Sequence, residues 1–142
     1  ICLQHIILDL TMKKITDKSN NLLAIVIDYE SIDKEKNFVT DNSSDIQLAS
    51  FNLKKNTIIE NHYHPKQDRK IETTCEVLVV LDGVIEITIY DKNLNIVSTE
   101  SISKGGTVAL FDGGHGIKVV EDCKLIETKQ GPYNESTDKV RF

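Results

Sequence analysis

The stretch EVLVVLDGVIEITIY (residues 76–90) sets two apolar runs on either side of an Asp-Gly pair. Valine, leucine and isoleucine dominate both runs, the residue types that suit a pleated, half-buried surface. Asp82-Gly83 between them predicts a tight hairpin turn joining strands over 76–81 and 84–90. In the first strand Val77, Val79 and Leu81 are apolar on the face opposite Glu76, Leu78 and Val80. A strand apolar on both faces needs cover on both, which a homodimer interface or an N-terminal helix would supply.

The same pattern continues downstream. DKNLN (91–95) turns the chain before a strand over 96–102, and SKGG (103–106) leads into TVALF (107–111). DGGHG (112–116) precedes IKVV (117–120), and EDC (121–123) is expected to turn the chain into KLIETK (124–129). Upstream, LLAIVIDYE (22–30), IQLASFNL (46–53) and TIIENHYH (57–64) read as strands, and 31–45 as an irregular excursion. Leu3, Ile6, Ile7 and Leu10 fall at helical spacing, predicting a short N-terminal helix over 3–15. Short strands at close intervals with Gly, Asn and Asp turns give an all-β sandwich or barrel. At 142 residues the length fits one domain. It divides into an N-terminal helix and strand (1–45), a barrel core (46–129) and a C-terminal tail (130–142).

A net charge of −5 gives no field to attract phosphate backbones, so no nucleic-acid partner is expected. The longest apolar run, LLAIVI (22–27), is too short to span a bilayer, so no membrane role is expected either. The three cysteines (Cys2, Cys75, Cys123) are odd in number and widely spaced, which implies no disulfide framework. With no secretory signal in view, a reducing cytoplasm is the expected compartment. Each cysteine reads as a small buried apolar residue.

Chemistry concentrates where the histidines lie. His62 and His64 are one residue apart on a predicted strand, so both imidazoles project to one side with Tyr63 opposite. Glu76 opens the strand before Asp82-Gly83, and His115 follows Gly114 in the DGGHG turn. Three imidazoles and a carboxylate at strand starts and turns can meet at one barrel mouth around one divalent transition metal: Fe, Mn, Zn or Ni. Ligation needs neutral imidazoles, so metal binding should weaken below about pH 6.

At these residues the chain resembles the cupin superfamily. The first cupin motif, G-x5-H-x-H-x3,4-E-x6-G, is matched by His62, His64, Glu76 and Gly83, and the second, G-x5-P-x-G-x2-H-x3-N, by Gly106, Gly114 and His115. Asn56 replaces the first glycine, and eleven residues separate His64 from Glu76. Asp112 replaces the proline, Val119 the asparagine, and His115 follows Gly114 directly. Over residues 45–139 the chain is most similar to the WbuC-like cupin-fold metalloproteins. The likeness lies in H-x-H-P and in Lys129, Gly131, Pro132, Tyr133, Asp138 and Lys139. The resemblance implies a double-stranded β-helix (jelly-roll) barrel and a place in bacterial surface-polysaccharide metabolism.

The permitted chemistries differ in class. A metal acting as Lewis acid suits isomerisation or epimerisation of a sugar or nucleotide-sugar. Iron in the same donor set suits a dioxygenase. A third reading is a non-catalytic small-molecule binder, so the sequence leaves open whether this is an enzyme. Lys66, Arg69 and Lys70 make the loop after the histidines basic, a candidate rim for an anionic sugar derivative. Glu127 and Lys129 share a strand face, and Glu127 is a candidate acid/base there. Tyr133 is a candidate hydroxyl donor over the barrel.

Overall fold

The computed structural model describes residues 12–142. Among these residues eight strands follow one another: β1 (Lys13–Thr16), β2 (Leu22–Ile27), β3 (Asn37–Phe38), β4 (Ala49–Ser50), β5 (Glu76–Tyr90), β6 (Ile96–Ser103), β7 (Thr107–Leu110) and β8 (Gly114–Lys129). One 3-10 turn, Tyr29–Ser31, interrupts them. Six strands form one antiparallel sheet in the order β1-β2-β7-β5-β6, with β8 also paired to β5, and β3 pairs with β4 in a small separate ribbon. The chain is all-β, as its apolar runs predict.

β5 and β8 organise everything else, and they correct the expected turns. Asp82-Gly83 is not a hairpin, nor is Glu121–Cys123 a turn: both lie inside continuous strands. The register between the two strands slips at Val80/Asp82, Asp82/Val84 and Val84/Ile85. Bulges of this kind bend a ribbon and sharpen its twist. Burial shows the same insertion. Leu78 and Val80 are buried before the slip, and Ile85, Ile87 and Ile89 after it, so the inward positions change from even to odd numbers. One extra residue at the corner keeps both halves of β5 facing the same interior.

The bend is large. His115 lies opposite Ile89, and Glu76 lies thirteen residues earlier, opposite Lys129. A straight strand would separate those levels by about 43 Å. Instead His115 Nε2 and Glu76 Oε2 are 3.2 Å apart. The ribbon is therefore folded over. Its first half lies between β7 and the end of β8, its second half between β6 and the start of β8.

Between the folded halves sits the main core: Ile15, Leu23, Val26, Leu78, Val80, Ile85, Ile87, Ile89, Ile102, Val108 and Leu110 among them. On one side the seam is closed by β1 meeting β6, where Lys13 Nζ reaches Glu100 Oε1 at 2.6 Å. A second core lies on the outer face of β2 and β7. There Ile25, Ile27, Ala109 and Phe111 pack with Val39 and Cys75, flanked by Ile32, Ile46, Leu48 and Val77. The two cores explain why LLAIVI is apolar without alternation: both faces of β2 are covered.

That outer cover is the 32–48 excursion, which also packs on Val77 of β5; Leu81, on the same face of β5, stays exposed. The predicted N-terminal helix is contradicted at its end, because Lys13–Thr16 is a strand paired with β2; its remainder lies outside the described residues. Cys75 is buried and Cys123 partly so, packed against the main core, as small apolar residues would be. Cys2 is outside the described residues. The strand expected over 46–53 shrinks to Ala49–Ser50, and 57–64 pairs with nothing among the described residues.

Candidate functional site

Glu76 begins β5 on its inward parity, the parity of Leu78 and Val80. Residues directly opposite in an antiparallel pair share a face, so His115 shares the inner face with Ile89, Lys129 with Glu76, and Glu127 with Leu78. The fold-over brings Glu76, His115 and Lys129 to one end. There they line a cleft of about 650 Å³ closed on its far side by the tail, with Lys139, Arg141 and Phe142 among its walls.

The glycines ahead of His115 allow this approach. Gly113 has φ +73°, and a Cβ there would run into the Tyr90 carbonyl oxygen, so backbone passes backbone where only hydrogen fits. At Gly114 a side chain would press on the Phe142 ring, which itself meets Tyr90 edge-on at 5.1 Å. The tail is pinned further back by Lys129 Nζ, which donates to Asp138 Oδ2 at 2.9 Å and lies 5.2 Å from the Tyr133 ring centroid.

The Glu76 carboxyl is held below its usual range. The largest cause is the hydrogen bond from His115; partial burial opposes it, and the charges of His115, Lys129 and Lys139 add to it. A depressed carboxyl favours the folded state when ionised. That contribution is complete above the unfolded glutamate pKa, about 4.3, and disappears as pH falls through the lower folded value. In metal-free protein the melting-temperature gap between wild type and Glu76→Gln should therefore narrow as the pH is lowered from 6 to below about 4.3. A gap of constant size across that range, by circular dichroism melts, would show that Glu76 gains nothing from its partners.

The other two predicted ligands stand elsewhere. His62 and His64 lie on an exposed segment outside any strand, with ring centroids 5.3 Å apart. They are neighbours on one side, as the i, i+2 spacing requires. His62 Nδ1 is 2.8 Å from the Glu60 carbonyl oxygen. A carbonyl can only accept, so Nδ1 carries the proton and neutral His62 keeps its lone pair on Nε2. The structure brings Glu76 to His115 and His62 to His64, but does not join the pairs. Among the described residues no group of three or more His, Cys, Asp and Glu side chains could hold a metal ion.

Lys66, Arg69 and Lys70 are exposed on the same segment, with Lys70 3.0 Å from Glu72. Glu127 is exposed and 3.9 Å from Lys129, while Tyr133 is exposed under the Lys129 ammonium. Neither lines the cleft. Set against models of protein families, curated proteins and solved structures, the chain matches none of them. Among the described residues no helix is long and apolar enough to cross a membrane.

Sequence reasoning missed Lys139 and Arg141 as walls of the site. Lys139 stood only in the family likeness, and the further signal for both is the basic cluster KVR (139–141) in a tail without strand or helix period.

Proposed function

We propose that this protein is a cupin-type metal binder whose cleft takes a small anionic molecule, a sugar phosphate or nucleotide-sugar. The observation that carries the reading is the Glu76–His115 pair, 3.2 Å apart, in a cleft shared with Lys129, Lys139 and Arg141. Two donors of one ion with bonds of about 2.1 Å and near-octahedral to tetrahedral angles sit roughly 3.0–3.4 Å apart. The pair has that spacing. His62 and His64 would complete the set, their ligating side fixed as Nε2 in His62 by the Glu60 carbonyl.

An ion held there supplies Lewis acidity toward a bound oxygen. The chain's own residues do the rest. Lys139 and Arg141 attract the anion, and Lys129 holds the tail that forms the far wall. Isomerisation or epimerisation also needs a proton donor in the cleft. Glu127 and Tyr133 stand outside its lining; the groups within it able to donate a proton are Tyr90, His115, Lys129 and Lys139.

The test is calorimetric titration of untagged protein, its metal content first measured by elemental analysis, with glucose 1-phosphate and with a nucleoside diphosphate sugar. Lys139→Gln/Arg141→Gln is expected to weaken binding by roughly tenfold or more, the cost of charge-assisted hydrogen bonds. Equal affinity in wild type and the double variant, or no binding by either, would overturn the ligand assignment. Protein that takes up neither Mn²⁺ nor Zn²⁺ would overturn the metal assignment.

A further inference from the structure

The tail after β8 is lightly attached. Of residues 131–142 only Asp138 is partly buried, and the rest are exposed. Among the described residues its backbone hydrogen bonds stay inside it: the Thr137 and Asp138 N–H groups both donate to the Asn134 carbonyl. The Ser136 N–H and hydroxyl both donate to Asn134 Oδ1. Residues 134–138 are thus a self-contained turn that presents Asp138. Among the described residues only side chains join the tail to the body. Lys129 grips Asp138 in an ion pair whose side chains are 20% and 13% exposed, and its ammonium lies over the Tyr133 ring. Phe142 rests against Tyr90.

Yet this piece brings cations to the cleft. Lys139 and Arg141 lie in the chain between the holding points Asp138 and Phe142, and both line the cleft. Neither forms an ion pair among the described residues. The body's side of the cleft includes His115 and Lys129. A segment with few buried contacts and water-exposed backbone opens at little cost. Two unpaired cations brought near Lys129 also repel it, so the empty cleft works against its own closure. The latch between Lys129 and Asp138 opposes that opening.

We infer that residues 131–142 are a strap that a bound anion shuts over the cleft, with the Lys129–Asp138 pair as its latch. This rests on the anionic-ligand reading of the cleft and needs no metal. An anion seated between Lys139 and Arg141 of the tail and Lys129 and His115 of the body touches both pieces. Its contacts with the tail exist only in the closed form, so binding draws the strap down. The affinity observed is the intrinsic affinity scaled by the fraction of molecules already closed. Asp138 therefore has two effects of opposite sign. Its carboxylate repels the anion and occupies Lys129, so charge alone makes Asp138→Asn bind more tightly. Its hold on the strap keeps the cationic wall in place, so loss of the latch makes Asp138→Asn bind more weakly. The strap requires the second effect to win.

Two measurements on the full chain test it. Calorimetric titration with glucose 1-phosphate compares wild type, Asp138→Asn and Glu135→Gln, the last removing an equal charge from an exposed position of the same turn, outside the cleft. Asp138→Asn is expected to bind at least about fivefold more weakly, and Glu135→Gln within about twofold of wild type. The second measurement is the rate at which a glutamyl endopeptidase cuts after Glu135, followed by mass spectrometry. Without ligand the cut should be roughly tenfold faster in Asp138→Asn than in wild type, and saturating glucose 1-phosphate should slow it in wild type. Asp138→Asn binding as tightly as wild type, or more tightly, overturns the strap. So does a wild type that binds the sugar phosphate yet is cut at an unchanged rate, an outcome that leaves the anionic-ligand reading standing. Wild type that binds no glucose 1-phosphate overturns that reading, and the ligand-driven closure falls with it.

Discussion

Replacing His115 with alanine is expected to lower affinity for Mn²⁺ or Zn²⁺ by at least about 100-fold. Removing a residue that merely orients a ligand typically costs 10–100-fold, and His115 is proposed as a ligand itself. Its Nε2 faces the Glu76 carboxylate at 3.2 Å in the cleft, and among the described residues no other histidine lines it. The fold should tolerate the change, because the imidazole is partly exposed and the core beneath it is supplied by Ile87 and Ile89. Glu127→Ala is the matched control: an exposed carboxylate on the same strand, outside the cleft. Competition titration with a chelating indicator gives both affinities. An affinity within threefold of wild type for His115→Ala would remove this residue from any metal site.

Gly83→Ala should destabilise the protein by about 3 kcal/mol or more, lowering the melting temperature by roughly 6–12 °C. Gly83 has φ +79°, where a side chain is strained in any surroundings, and its Cβ would collide with the Asp122 carbonyl oxygen of β8. Backbone meets backbone there, so no rotamer change relieves the contact. This glycine sits at the corner that folds the β5/β8 ribbon, and any relaxation spreads to the approach of Glu76 and His115. Gly116→Ala provides the comparison: its Cβ would meet nothing within 4 Å. A Gly83→Ala protein that melts within 2 °C of wild type would mean the two strands are not closely crossed at that corner.

The sequence shows how much of this was legible. Strands expected over 22–30, 96–102 and 107–111 appear at Leu22–Ile27, Ile96–Ser103 and Thr107–Leu110, because apolar runs bounded by turn residues name a strand whatever it pairs with. Asp82-Gly83 misled because its chemistry, a glycine that accepts positive φ, serves a tight turn and a bulged corner equally well. Inward parity separates the two, changing from Leu78 and Val80 to Ile85, Ile87 and Ile89. Val77 and Val79 hid that change by being apolar on the opposite face, where one of them meets the second core.

The N-terminal segment failed differently. Its spacing over Leu3–Leu10 is helical, yet Lys13–Thr16 is drawn into the sheet by Val26 and its neighbours, a tertiary preference that local spacing does not carry. At the site, the closeness of Glu76 and His115, thirty-nine positions apart, was expected from family resemblance and depends on a bend no local pattern encodes. The cationic wall of Lys139 and Arg141 comes from a tail without periodicity. Its placement follows from contacts of Asp138 and Phe142 rather than from any pattern in the chain.

The joint between β1 and β6 differs in kind from the rest of the wall. Elsewhere neighbouring strands are laced by ladders of backbone amides, but here a four-residue strand leans on its neighbour through Lys13 and Glu100. Charges near the surface attract more weakly as ions crowd the solvent. The molecule should accordingly breathe along this line first, with β1 lifting while β2 stays laced to β7, and Ile15 would be the first core side chain to touch water.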